Sequence, residues 1–132
     1  MSRKNKTNPC FCGSGAAYAE CCGRYIDEGV NAPTPEQLMR SRFSAYCLGN
    51  EAYLLKTWHA STRPASLDLD KHAVKWVGLE IIDAPEVHGD SATVEFIARY
   101  KQNGRAGRLH ENSRFRRDRS QWFYLDGTQD SE

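Results

Sequence analysis

Four of the five cysteines lie within 13 positions, as Cys10 and Cys12 followed after eight residues by the adjacent Cys21 and Cys22. Two short cysteine pairs joined by a loop can fill the four tetrahedral positions of a structural Zn²⁺ site, and thiolate is a preferred ligand of this ion. A disulfide between adjacent cysteines would instead close a strained ring. The spacing therefore predicts a metal site, which we expect to hold zinc, although thiolates also bind iron. Because protein ligands fill every position, the site should be structural and not catalytic.

The segment around these cysteines has too few large apolar side chains to fold around a hydrophobic core. Within residues 1–30 they are essentially Phe11, Tyr18, Tyr25 and Ile26, so the metal must supply much of the stabilisation. A redox function would favour a C-x-x-C motif beside a βαβ pattern, which the sequence lacks. We therefore predict a small metal-binding knob at the N-terminus. The fifth cysteine, in a helical apolar pattern, is interpreted as a small buried side chain.

The composition is that of a globular protein and bounds the classes of function. The chain has 132 residues, of which 39% are hydrophobic and 27% are charged. This length allows one ordinary domain and a small appendage. No apolar stretch is long enough for a membrane helix or resembles a secretory signal, so we expect a cytoplasmic protein without membrane contact. A reducing compartment keeps thiols free for metal binding.

A basic segment is concealed within a nearly neutral chain of net charge +1. Residues 99–119 carry eight Arg or Lys side chains against two acidic ones. The arginines near its turns are Arg105, Arg108, Arg116, Arg117 and Arg119. Such a cluster is typical either of a solvated sheet edge or of a surface that binds RNA or an acidic protein. Because the nearby aromatic residues are expected in the core, RNA binding is the alternative here.

The remaining elements follow from the spacing of apolar residues. Thr34, Pro35 and Glu36 predict a helix start, and apolar residues recur at helical spacing until Gly49. A second helix leads to 58–59, and a short helix or turn is predicted at 67–73. Alternation with a period of two then predicts antiparallel strands near 74–81, 93–101, 109–117 and 121–125. The expected fold class is α+β, with helices packed on a curved four-stranded antiparallel sheet.

The cysteine segment resembles a known motif. The pattern Cys10-x-Cys12-Gly-Ser-Gly-x5-Cys21-Cys22 is similar to the SEC-C motif, the metal-binding module at the C-terminus of the bacterial preprotein-translocase ATPase. There the module contacts a secretion chaperone. Phe11 and Ala16 replace the proline and lysine usual in that motif, which alters the surface and not the ligands.

The whole chain resembles the YchJ-like family, in which an SEC-C motif precedes a domain of the nuclear-transport-factor-two-like (cystatin-like) fold. The matching segments are 38–46, 57–59, 95–100, 110–115 and 122–127. The resemblance implies a zinc-binding SEC-C motif at 1–30 and a nuclear-transport-factor-two-like domain at 31–132. It also implies a cone-shaped sheet with a hollow, which in this superfamily serves small-molecule enzymes or binding alone.

Nine side chains are candidates to line that hollow or bind a ligand: Arg40, Arg42, Tyr46, His59, Glu95, Arg99, Glu111, Ser113 and Arg114. Along a strand, Glu111 and Ser113 share a face with the apolar Phe115, so both should point inward. An inward glutamate needs a partner, for which Arg40 or Arg42 is the natural choice. Helical residues two apart do not share a face, so at least one of these arginines should point away.

Two interpretations of the hollow stay open at this point. In the first, Glu111 and a helical arginine form a buried ion pair, and His59 only caps a helix end. In the second, His59 and Glu111 are the acid–base pair of a small isomerase or dehydratase. Because fold analogy alone does not establish chemistry, no catalytic residue is assigned and the first interpretation is favoured.

The predicted function is therefore metal-dependent recognition without turnover. The knob would contact a protein, such as a chaperone, an export component or a ribosome-associated factor, and the hollow would bind a small ligand. The alternatives are a small enzyme that uses the hollow and an RNA-binding protein that uses segment 99–119. Two copies of the chain are expected to pair through the sheet.

Overall fold

The computed structural model describes residues 9–67, 69 and 74–130. A 3₁₀ turn at Tyr18–Glu20 is followed by helices α1 (Gly23–Ile26), α2 (Pro35–Leu48) and α3 (Glu51–Lys56). The strands are β1 (Val74–Asp83), β2 (Ser91–Gln102), β3 (Arg105–Asp118) and β4 (Gln121–Asp130). The helix or turn predicted at 67–73 falls largely outside the described residues. Among those that are described, no helix has both the length and the apolar character needed to cross a membrane.

Helix α2 begins and ends where the sequence predicts. The Thr34 hydroxyl accepts a hydrogen bond from the Gln37 amide (3.1 Å), and Pro35 occupies the first turn. Gly49 ends the helix with φ = 70°, in the left-handed region that glycine adopts without strain. Asn50 then caps α3 by accepting from the Tyr53 amide (3.0 Å). These caps set the positions of both helices above the sheet.

The described strands form one antiparallel sheet in the order β1-β2-β3-β4, which confirms the predicted α+β class. Bulges interrupt β1 and the β3–β4 ladder, where the register shifts between Arg114 and Phe115. Bulges increase the local twist and help the sheet to curve. Strand β4 extends to Asp130, beyond the predicted end at 125. Its last residues lack apolar alternation, and the backbone ladder with β3 holds them in the strand.

One face of the sheet carries the core. Val94, Phe96 and Ala98 of β2 are buried beside Phe115 of β3, as the alternation predicts. Helix α2 covers this face with Leu38, Met39 and Phe43, which belong to the same apolar cluster. The core therefore lies between α2 and the concave face of the sheet, and any hollow must lie there too.

The N-terminal knob (residues 1–30, of which 9–30 are described) packs against this core. Tyr25 of α1 is buried in the main apolar cluster, together with Ala32, which lies between α1 and α2. Leu79 of β1 contacts the cluster formed by the cysteines. The knob is thus joined to the helices and the sheet by direct packing.

Candidate metal centre and ligand cavity

The four cysteines of the knob converge on one point. The Sγ atoms of Cys10, Cys12, Cys21 and Cys22 all lie within 4.8 Å of one another, and all but Cys21 are buried. The Sγ atoms of Cys12 and Cys21 are 3.7 Å apart. A tetrahedral Zn²⁺ with Zn–S bonds of about 2.3 Å would separate its sulfur ligands by about 3.8 Å. The donor set and its spacing therefore fit a four-thiolate metal site.

The backbone of the knob brings the two cysteine pairs together. The Cys10 amide donates to the Ala16 carbonyl (2.8 Å), which closes the loop between the pairs. Gly13 and Gly15 in this loop have φ of 81° and 91°, a conformation that a side chain would strain. The second pair leads directly into α1, where the Cys22 carbonyl accepts from the Tyr25 amide (3.0 Å). Short local contacts thus place all four sulfurs.

The thiols influence one another strongly. Hydrogen bonds from Cys12 and Cys22 lower the pKa of Cys10. Hydrogen bonding to Cys10 in turn raises the pKa of Cys12 and of Cys22, and burial adds to the rise. Holding several thiolates in so small a volume requires a cation, whose binding must release protons.

Two residues one turn apart on α2 attach the cysteine loop to the larger domain. Arg40 donates from Nη1 to the Cys12 carbonyl (3.0 Å) and from Nε to Glu36 (3.1 Å). The Ser44 hydroxyl is fully buried and lies 3.6 Å from the Cys10 Sγ atom. Residues four apart share one face of a helix, so this face of α2 is the platform for the knob. Sequence reasoning missed Ser44, although its spacing from Arg40 was the available signal.

Cys47 lies apart from the cysteine cluster. It is half-buried against the main core, and burial raises its pKa to about 12. Cys47 packs against the core as predicted, but its side chain is partly buried and not fully buried.

A cavity of about 300 Å³ lies between α2 and the concave face of the sheet. Of the nine candidate residues, four line it: Arg42, Tyr46, Glu111 and Ser113. The remaining walls are mostly aromatic and apolar, and they include side chains that sequence reasoning did not assign: Met39, Phe43, Trp58, Trp76, Phe96, Ala98, Leu109, Tyr124 and Gln129. The volume is at the lower end of the range usual for small-molecule sites.

Arg42 is the buried cation of this cavity. Its side chain is 2% exposed, and Nη1 donates to the Leu54 carbonyl and to the Thr57 hydroxyl (2.8 Å each). The guanidinium lies over the rings of Tyr124 (4.4 Å) and Trp58 (5.1 Å). Burial lowers the pKa of Arg42, since desolvation disfavours its charge. Arg40 and Arg42 point in different directions, as predicted.

Glu111 is the buried carboxylate of the same cavity. The prediction that it forms an ion pair with Arg40 or Arg42 is wrong. Its Oε2 accepts from Ser113 Oγ (2.6 Å) and from the Tyr124 hydroxyl (3.1 Å), and Oε1 accepts from Gln129 Nε2 (3.3 Å). Among the described residues, no arginine lies within ion-pair distance of it. Neutral donors therefore satisfy this carboxylate.

The space that Glu111 occupies exists because glycine lies opposite it. Gly127 of β4 pairs with Ser113, and a Cβ atom built on Gly127 would lie 2.5 Å from Cδ of Glu111. Burial and the adjacent Glu111 raise the pKa of Tyr124, because both disfavour the phenolate. Glu111, Tyr124 and Gly127 thus form one packed unit on the floor of the cavity.

The proposed acid–base pair of His59 and Glu111 is wrong, because the two side chains lie at different places. The His59 amide donates to the Tyr124 carbonyl (2.7 Å), which turns its ring toward the β3–β4 hairpin. There Nδ1 accepts from the Ser61 amide (3.1 Å), and Nε2 lies 3.3 Å from Asp118 Oδ2. Asp118 ends β3, about 23 Å along the strand from Glu111.

Three further candidates lie on the convex face of the sheet and not in the cavity. Glu95 is paired with His110 (2.7 Å) and Arg99 with Glu80 (3.2 Å). Arg114 forms two hydrogen bonds of 2.6 Å with Asp126. Since strand residues alternate between faces, odd-numbered Glu95 and Arg99 lie on the face of the sheet that Phe96 and Ala98 do not occupy.

Pairing of two copies through the sheet stays a prediction.

The basic segment is partly neutralised by these contacts. Besides Arg99 and Arg114, Arg117 is paired with Asp90 (3.1 Å) and lies over the Trp122 ring. Phe115 and Trp122 are buried, as expected from the sequence, so they offer no stacking surface for bases. Binding of RNA or of an acidic protein stays a prediction without a specific contact to favour it.

Comparison with known families identifies both parts of the chain. The family model "YchJ, middle NTF2-like domain" matches residues 34–127, and the "SEC-C motif" model matches residues 7–24. A UPF0225 protein of Methylibium petroleiphilum is 51% identical over 124 residues, 94% of this chain and 90% of the relative. A UPF0225 protein of Chromobacterium violaceum is 50% identical over an alignment that covers 96% of this chain and 96% of the relative.

Two solved structures share the fold along nearly the whole length. The solution structure of an SEC-C motif containing protein from Rhodopseudomonas palustris has a TM-score of 0.82 and 35% identity, over 91% of this chain and 97% of the other. The crystal structure of an SEC-C motif containing protein from Psychrobacter arcticus has a TM-score of 0.79 and 27% identity, over 98% of this chain and 86% of the other. The chain thus belongs to the family defined by the YchJ middle NTF2-like domain and carries an N-terminal SEC-C motif.

Proposed function

We propose that this protein is a zinc-dependent recognition protein without catalytic turnover. Zinc bound by Cys10, Cys12, Cys21 and Cys22 would hold the N-terminal knob against α2, and the cavity of the larger domain would bind a small ligand. The observation that carries the proposal is the convergence of the four Sγ atoms within 4.8 Å. Four thiolates complete the tetrahedral shell of Zn²⁺, which leaves no position for a reacting water.

The surface of the knob is suited to contact a partner. Phe11, between the first two ligands, is 45% exposed and packs edge-on against Tyr18 at 5.9 Å. An aromatic side chain held rigidly at the surface is a common anchor in protein interfaces. We expect the partner to be a chaperone, an export component or a ribosome-associated protein. The proposal also assigns the protein to the cytoplasm, where thiols remain reduced.

The contacts in the cavity support binding over catalysis. Glu111 already accepts three hydrogen bonds from side chains of the protein, and His59 lies at the hairpin. A general base needs a free position within hydrogen-bond reach of the proton that it removes. The packed environment of Glu111 provides a support for the cavity floor, and it favours a ligand-binding role.

Metal analysis of the purified protein tests the zinc site. Protein prepared in reducing, chelator-free buffer should contain about one equivalent of zinc, because a closed site of four thiolates is nearly filled. Cys21→Ser should lose most of this metal, and Cys47→Ser is the matched control that should retain it. Iron in place of zinc would show as visible absorbance and would revise the identity of the metal. Metal-free, folded protein would contradict the proposal.

Partner capture tests the recognition role. Tagged wild-type protein, Cys21→Ser and Glu111→Gln are incubated with lysate, and the bound proteins are compared by mass spectrometry. Loss of a partner with Cys21→Ser and its retention with Glu111→Gln would support recognition through the knob. The reverse pattern would favour a role centred on the cavity, and Phe11→Ser would show whether the exposed ring makes the contact.

A further inference from the structure

One edge of the buried Arg42 guanidinium is left open. Nη1 of Arg42 has two acceptors, the Leu54 carbonyl and the Thr57 hydroxyl. Within the part of the chain that the structure describes, Nε and Nη2 of Arg42 have no acceptor. Among the described residues, the side-chain atom that is sealed from solvent without a hydrogen-bond partner is Tyr18 Oη, so Nε and Nη2 of Arg42 are not sealed. Since Arg42 is 2% exposed and lines the cavity, its open N–H groups reach the cavity.

Nε and Nη2 form the edge of a guanidinium that binds a carboxylate with two parallel hydrogen bonds. The same chain shows this geometry on the convex face of the sheet, where Arg114 donates from Nε and Nη2 to the two carboxylate oxygens of Asp126 at 2.6 Å each. In the cavity the rings of Tyr124 and Trp58 hold the plane of the Arg42 guanidinium. The open edge is therefore rigid before any ligand arrives, which lowers the entropic cost of binding.

Glu111 does not close this edge. Its two oxygens accept from Ser113, Tyr124 and Gln129, so among the described residues its hydrogen bonds come from neutral donors, and Glu111 acts on Arg42 through its charge alone. A buried cation with unmet donors is costly, and a ligand that supplies an acceptor of opposite charge would remove that cost. The chemistry of the head group is thus set by Arg42.

The aromatic walls of the cavity determine the shape and chemistry of the rest of the ligand. Aromatic rings from α2, from the segment after α3 and from the sheet surround the cavity: Phe43, Tyr46, Trp58, Trp76, Phe96 and Tyr124. Trp76 contacts Phe43, Tyr46 and Tyr100 at ring-centroid distances of 5.4–6.1 Å, in the edge-on and tilted geometries that rings prefer. A flat ring of the ligand can join this cluster, and about 300 Å³ leaves room for one or two fused rings.

We propose that the cavity binds a small aromatic carboxylate, with the carboxylate on the Nε–Nη2 edge of Arg42 and the ring among the aromatic walls. This inference rests on the ligand-binding part of the proposed function and names the class of ligand. The recognition role of the knob does not depend on it.

Matched pairs of probes test the inference on the zinc-loaded wild-type protein. The probes are 3-phenylpropionate and indole-3-carboxylate, each compared with its primary amide, which keeps the shape and removes the charge. Binding is measured by calorimetry and by tryptophan fluorescence, since Trp58 and Trp76 line the cavity. The carboxylate of at least one pair should bind about tenfold more tightly than its amide, because hydrogen bonds to charged groups are the stronger ones.

Three variants locate the site. Ala98→Leu enlarges a side chain on the sheet wall of the cavity, leaves the Arg42 side chain in the sequence, and should weaken carboxylate binding about tenfold or more. Arg42→Met should abolish the preference for carboxylate over amide, and Arg114→Met on the convex face is the matched control that should bind as the wild type does. If Arg42→Met fails to fold, Ala98→Leu still decides the location.

Failure of the inference is distinguishable from failure of the proposed function. Equal affinity for carboxylates and amides, binding that survives Ala98→Leu, or no saturable binding of any probe to folded protein with a full complement of zinc would each overturn the inference. None of these outcomes would affect the zinc site or the knob. The proposed function itself fails on metal analysis and partner capture, which need no ligand.

Discussion

The Oγ atom of Ser44 lies 3.6 Å from the Sγ atom of Cys10, so a ligand of the metal site touches the central helix of the larger domain. Ser44 is fully buried, and no larger side chain fits at this contact without moving the cysteine loop. The metal site and the NTF2-like domain therefore share an interior. Loss of metal from the cysteines should therefore destabilise the core of the larger domain. Changes in that core should likewise alter the cysteine site.

Removal of the metal should lower the stability of the whole chain and not of the knob alone. A ligand that binds the folded state stabilises it by about 4 kcal/mol when its concentration is a thousand times its Kd, so chelation should lower the Tm by at least about 5 °C. Thermal unfolding followed by near-ultraviolet circular dichroism reports on the core tryptophans. Because Cys47 lies outside the cluster, Cys47→Ser should respond to the chelator as the wild type does. A Tm unchanged by complete metal removal would contradict the coupling.

Arg40→Met should weaken metal binding while leaving the fold intact. The substitution removes the hydrogen bond from Nη1 to the Cys12 carbonyl and retains the aliphatic stem. Outer contacts of this kind change metal affinity by about tenfold or more. Competition with a chromophoric chelator measures the effect, and Arg99→Met, which removes an ion pair far from the cysteines, should show no change. Equal zinc affinity in both variants would show that Arg40 does not support the site.

Gly127→Ala should disturb the cavity floor. The new methyl group would overlap the Glu111 side chain, whose Cγ lies 2.9 Å from the Cβ position. Overpacking of this kind costs about 1–3 kcal/mol, and denaturant unfolding would measure the loss. Gly78→Ala on β1 is the matched control, because nothing lies within 4 Å of its Cβ position and its φ is not positive. A change in Gly78→Ala as large as that in Gly127→Ala would exclude the clash as the cause.

The metal ligands could be predicted from the sequence because their constraint is local. Four sulfurs within 13 positions must meet if they bind one ion, and the glycine-containing loop between them limits the alternatives. The alternation in β2 and β3 likewise placed Glu111 and Ser113 inside, since the period of a strand fixes the faces. Opposed directions for Arg40 and Arg42 followed from helix geometry.

Two of the errors concern residues whose direction depends on distant contacts. His59 follows α3 in a segment without periodicity, and a backbone hydrogen bond to Tyr124 in β4 turns its ring toward the hairpin. The partners of Glu111 come from β4, where Gly127 provides the space and Tyr124 the donor. Glu95 was assigned to the hollow although its parity in β2 placed it on the convex face. Arg99 in β2 and Arg114 in β3 were assigned to the hollow against their parity as well, so all three of these errors were avoidable from the sequence.

Tyr124 should make the free energy of unfolding depend on pH in the alkaline range. Burial and the nearby Glu111 hold the pKa of Tyr124 above its ordinary value of 10.0, so the folded state binds this proton more tightly than the unfolded chain does. Such a group contributes stability that is fully present below the unfolded pKa and is lost as the pH rises above it. The free energy of unfolding should therefore fall as the pH rises above about 10.

Tyr124→Phe isolates this contribution. At pH 8 the variant should be less stable by about 1–2 kcal/mol, because the hydrogen bond to Glu111 is lost. Above pH 10 its stability should decline less steeply than that of the wild type, since one group with a raised pKa is gone. Urea unfolding at a series of pH values from 8 to 11 gives both quantities. Parallel pH profiles for the two proteins would mean that Tyr124 does not titrate as its burial beside Glu111 requires.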